Sequence, residues 1–74
     1  MNAAQLRMAR AALKLGIRDV ARLAIVAPST VSRLEAGEKL NPRTVEAIRR
    51  ALEAAGVEFT DGDSPGVRLK NKHK

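Results

Sequence analysis

The sequence has no cysteine, no tryptophan and no tyrosine, one phenylalanine (Phe59) and one histidine (His73). Without thiols there can be no disulfide, thiolate metal site or cysteine nucleophile, a composition compatible with a reducing cytosol. His73 has no second histidine or cysteine to complete a metal site; it is given no role, and no metal or cofactor is expected. Long apolar runs are missing too. The longest, Leu23 to Ala27, falls far short of the ~20 residues of a membrane-spanning helix. Arg7, Arg10 and Lys14 interrupt the first residues where a signal peptide would be apolar, so a cytoplasmic protein with no membrane partner is expected. The carboxylates Glu46 and Glu53 stand among Arg43, Arg49 and Arg50 on one helical stretch, where charge pairing accounts for them. No enzyme is expected.

What is present is small and basic. A chain of 74 residues forms one domain at most and buries only about 60–65 % of its unfolded surface, so the core is thin and dimerisation would help it. Hydrophobic residues make up 45 %, many of them alanine, which favours short, closely packed helices built on Leu, Ile, Val and Ala. Fourteen Lys and Arg against eight Asp and Glu leave a net charge of +6, suited to a polyanion such as nucleic acid. Part of that charge lies in the run Arg68, Lys70, Lys72 and Lys74, and solvated basic tails are common in proteins that bind no nucleic acid.

The periodicity predicts a mainly α fold of four helices followed by a β-hairpin. From Ala3 to Leu15 the apolar residues Leu6, Ala9 and Leu13, flanked by Met8, Ala12 and Leu15, recur at helical spacing, and Gly16 ends the pattern. A second helix runs from Ile17 to about Ala24, burying Val20 and Leu23, with Asp19 favoured in its first turn by the helix dipole. Pro28 opens a third helix and Gly37 closes it, with Val31 and Leu34 facing inward. After a loop from Glu38 to Pro42, a fourth helix from Thr44 to Ala55 turns Val45, Ile48 and Leu52 to one side and stops at Gly56. Val57 and Phe59 then alternate with polar residues, as do Val67 and Leu69, across the turn-rich stretch 61–66. This gives a helical region at 1–56, a hairpin at 57–70 that covers the core or pairs with another chain, and a basic disordered tail at 71–74.

The stretch from Val20 to Gly37 carries the function. Two short helices share a tight turn; Ala21 is small enough for them to approach, and Val26, Val31 and Leu34 turn the second helix inward. The outward residues are then Ser29, Thr30, Ser32 and Arg33. Small hydroxyls and one arginine can approach base edges and phosphates without the repulsion that carboxylates would bring.

Over roughly Gln5 to Leu52 the sequence resembles the phage-repressor-like (XRE, Cro-type) helix-turn-helix regulators, best at Ser29 to Gly37, which is similar to that family's recognition helix with its terminal Glu-x-Gly. The resemblance implies a lambda-repressor-like domain that binds a pseudo-palindromic double-stranded DNA operator as a homodimer, its recognition helices about 34 Å apart. It implies base contacts from Pro28, Ser29, Thr30 and Arg33, phosphate contacts from Arg18, Ser32, Lys39 and Arg43, and a structural ion pair between Arg10 and Glu35. Arg33 is the main specificity candidate, since a two-point contact with guanine is worth roughly 1–3 kcal/mol of discrimination.

Three residues depart from the family pattern. Ile17 replaces a glutamine that donates to a phosphate, and Arg18 can substitute for it. Ile25 stands at the turn position usually held by glycine, where a β-branched residue at positive φ is strained and implies a turn of altered shape. Ala27 replaces a hydroxyl N-cap, which Pro28 compensates only in part. The expected function is transcriptional regulation, with repression as the leading form. The alternative is a helix-turn-helix-fold module that grips a protein, as an antiactivator or antitoxin would; an exposed Ile17 and an unusual turn would suit it.

Overall fold

The computed structural model describes residues 1–70; the tail expected at 71–74 lies outside the described residues. The element order is α1 (Ala3–Leu13), α2 (Ile17–Ala24), α3 (Pro28–Glu35), α4 (Pro42–Ala55), β1 (Val57–Thr60) and β2 (Gly66–Leu69), the four helices and hairpin that the periodicity predicts. No described helix is long and apolar enough to cross a membrane.

Asn2 caps α1 reciprocally. Its side-chain oxygen accepts from the Gln5 amide at 2.8 Å while Gln5 Oε1 accepts from the Asn2 amide at 2.9 Å, so two orphan donors of the first turn are satisfied together. The helix ends earlier than Gly16, because Lys14 takes the left-handed cap (φ 58°) and Leu15 donates back to the Arg10 carbonyl at 2.9 Å. Gly16 instead caps α2, its amide donating to Asp19 Oδ2 at 2.8 Å.

Val20 and Ala21 are the buried residues of α2, whereas Leu23, expected inside, is 50 % exposed. The helix has one inward stripe, which Ile17, Val20, Ala21 and Ala24 fill at spacings of three and four; Leu23 lies well to one side of it. In α3 the buried residues are Val31 and Leu34. The fourth helix begins at Pro42 rather than Thr44, because Asn41 Oδ1 accepts from the Arg43 amide at 2.8 Å and proline suits the first helical position.

The core joins Leu6 and Ala9 of α1, Val20 and Ala21 of α2, Val31 and Leu34 of α3, Ile48 and Leu52 of α4, and Val57 of β1. The strands pair antiparallel, Val57 opposite Leu69 and Thr60 opposite Gly66, and the hairpin packs on α1 and α4. Phe59 is half-buried against the same core. Gln5, only 2 % exposed, pins the hairpin near its turn: Nε2 donates to the carbonyls of Thr60 at 2.8 Å and Gly66 at 3.1 Å. One buried amide thus serves the helix cap and the hairpin at once, leaving no polar atom of Gln5 unpaired.

Candidate nucleic-acid interface

The turn between α2 and α3 rests on Ile25. It caps α2 in the left-handed conformation (φ 59°, ψ 51°), and Val26 donates to the Ala21 carbonyl at 3.0 Å. The turn therefore takes at Ile25 the left-handed corner that a glycine would supply. Isoleucine bears a strain of roughly 1–2 kcal/mol there. Its side chain, 89 % exposed, gains no packing in return.

Helix α3 begins at Pro28 after Ala27, whose side chain makes no cap bond. Its inward side, Val31 and Leu34, is locked in the core. Ser29 and Arg33, four residues apart, stand on one line of the opposite face with Ser32 beside them, and all three are exposed, as is Pro28. Thr30 lies on the flank, half-buried. Arg18 in the first turn of α2, Lys39 in the loop after α3 and Arg43 in the first turn of α4 are exposed, and among the described residues none of them forms an ion pair.

Two arginine–glutamate pairs lie at the C-terminal end of this helix. Arg10 on α1 holds Glu35 with both edges of its fork, Nε to Oε2 at 2.7 Å and Nη2 to Oε1 at 2.9 Å, while Nη1 donates to the Leu15 carbonyl at 3.2 Å. The side chains are only 25 % and 16 % exposed. The Glu35 hydrogen bond, assisted by its charge and opposed by burial, holds the Arg10 guanidinium above its ordinary pKa. Arg7, one turn earlier, donates to the Glu35 carbonyl at 2.7 Å, where a cation also complements the C-terminal end of the helix dipole. Sequence reasoning passed over Arg7, although its place three residues before Arg10 sets both on one face of α1.

The second pair, Arg33 with Glu38, was not anticipated either. Arg33 Nε donates to Glu38 Oε1 at 2.9 Å, with both side chains about half exposed. Gly37 makes the pairing: at φ 95° it turns the chain back over the end of α3, with its amide on the Leu34 carbonyl at 3.0 Å and the Glu38 amide on the Arg33 carbonyl at 3.0 Å. These two bonds form the doubled closure that a left-handed glycine permits at a helix end.

The family model described as helix-turn-helix domain matches residues 3–61, from α1 through β1. No curated protein matches the chain.

Proposed function

The chain belongs to the helix-turn-helix domain family, and on that premise we propose that it is a sequence-specific regulator of transcription, a repressor of the phage-repressor-like type that works in the cytoplasm by binding DNA rather than by catalysis. A homodimer would place two copies of α3 in successive major grooves of a palindromic operator. The observation that carries the reading is the division of α3: Val31 and Leu34 fix it to the core and Glu35 ties it to Arg10 of α1, while Ser29, Ser32 and Arg33 are left exposed. In this reading Pro28, Ser29, Thr30 and Arg33 meet base edges, Thr30 from the flank. Ser32, Arg18, Lys39 and Arg43 meet phosphates, fixing position and salt dependence.

The test is selection of bound duplexes from a random DNA pool, followed by gel shifts with competitor DNA. A consensus sequence bound more weakly as salt rises is expected, and Arg33→Ala should lose roughly 1–3 kcal/mol of discrimination at one base pair. Arg33→Ala binding as tightly and selectively as the parent would refute this assignment of the recognition helix.

A second reading, capture of a protein partner, draws on Leu23 and Ile25, 50 % and 89 % exposed, which put apolar surface on α2 and the turn. Ile17 does not contribute, being half-buried against the core. Absence of a specific shift at any salt concentration would favour this reading over the first.

A further inference from the structure

Arg33 and Arg10 use their guanidinium groups differently. Arg10 engages all three nitrogens, two on Glu35 and one on Leu15. Arg33 engages one: Nε meets Glu38 Oε1 at 2.9 Å, and among the described residues neither Nη group meets a protein acceptor. The end of the fork that is left open is the end that matches guanine O6 and N7. Glu38 is itself held in place, since the bonds of Gly37 and Glu38 to the Leu34 and Arg33 carbonyls tie its backbone to the end of α3.

We propose that Glu38 is a positioning residue for base recognition: by holding Arg33 through Nε it aims the two Nη groups outward from α3 and keeps them from swinging to a neighbouring phosphate. The proposal rests on the reading of α3 as the recognition helix. A carboxylate beside a DNA-facing helix is otherwise unfavourable, because it repels the phosphate backbone. Paired with Arg33, it makes a locally neutral unit whose contribution is orientation and not counterion release. An arginine oriented before binding also loses less side-chain freedom when it meets the base.

The experiment compares the full-length protein with Arg33→Ala, Glu38→Ala and Glu38→Gln, each put through selection from a random duplex pool and then salt-dependent gel shifts on the parent's preferred sequence. Circular dichroism confirms that each variant is folded. Arg33→Ala identifies the base pair that Arg33 reads. At that base pair Glu38→Ala is expected to lower discrimination about tenfold, with equal or tighter binding to unrelated DNA and a salt slope steeper by about one as the released arginine reaches a phosphate. Glu38→Gln, which retains an Oε1 acceptor for Nε, is expected to keep most of the discrimination. If both Glu38 variants tighten binding to every sequence alike and leave the base preference intact, Glu38 is only a repelling charge and the proposal is overturned. If Arg33→Ala itself changes no base preference, the failure lies instead with the reading of α3.

Discussion

Two arginines, Arg10 and Arg33, each hold a glutamate of the same short segment. Arg10 with Glu35 is mostly shielded from water, doubly bonded and tied to Leu15; Arg33 with Glu38 is half exposed and singly bonded. Identical chemistry therefore has different consequences. Burial removes water as an alternative partner, so losing either member of the inner pair strands the other, whereas water and salt replace a missing member of the outer pair at little cost. The inner pair fixes where α3 lies. The outer pair lies on its exposed side, where the proposed reading gives it the aiming of Arg33.

The largest effect that would break this contrast is at the inner pair. Glu35→Ala should destabilise the fold by about 2 kcal/mol, because it leaves the Arg10 fork partly buried with no carboxylate. Urea unfolding measures this, and a midpoint equal to that of the parent would mean that the pair is as dispensable as a surface one. Next in size is Gln5→Ala, expected to cost about 1–2 kcal/mol. It removes the donor shared by the Thr60 and Gly66 carbonyls together with half of the cap of α1. Hydrogen exchange should then show the amides of β1 opening more readily than those of α3, since Gln5 touches the hairpin and not α3.

These buried partners also mark where sequence reading works and where it stops. Helical spacing located α3 and its inward Val31 and Leu34, because an eight-residue helix with one apolar stripe has only one way to face a core. The same logic misplaced Leu23: in α2 alanines share the inner stripe, and small residues give a weaker periodic signal than the leucine beside them. The end of α1 was read at Gly16 because glycine is the usual left-handed residue, yet Lys14 takes that conformation. Family resemblance places Glu35 opposite Arg10, since a separation of 25 positions in the chain leaves no local trace of the pairing. Glu38 lay outside any such pattern. Its partner is set by the backbone reversal at Gly37, and a glycine read as a stop says nothing of where the next side chain goes. Gln5 was passed over as a polar residue between apolar ones, although a glutamine three residues after an asparagine is the signature of a reciprocal cap.

A smaller effect concerns exposure without a partner. Ile25 is strained by its backbone and has almost no packing, so Ile25→Gly should stabilise the fold by about 0.5–1 kcal/mol, the relief of left-handed strain exceeding the extra freedom that glycine gives the unfolded chain. Thermal unfolding reads the change. A loss of stability would show that the isoleucine side chain makes contacts worth more than its strain.

The smallest expected effect is the most discriminating for the contrast between the pairs. Glu38→Ala removes a carboxylate from an arginine at 2.9 Å, close to the 2.7 and 2.9 Å of the inner pair, yet it should change stability by less than about 0.5 kcal/mol. Distance is not what separates the two glutamates. Arg33 without Glu38 is solvated over its exposed half, and the backbone bonds that close α3 come from Gly37 and the Glu38 amide, both of which survive truncation of the side chain. Unfolding free energies of Glu35→Ala and Glu38→Ala, measured side by side in urea at low and high salt, should therefore differ by more than about 1 kcal/mol at both. Two equal losses would mean that Glu38 is a brace of the helix end, and that its contact with Arg33 belongs to the fold and not to the exposed face of α3.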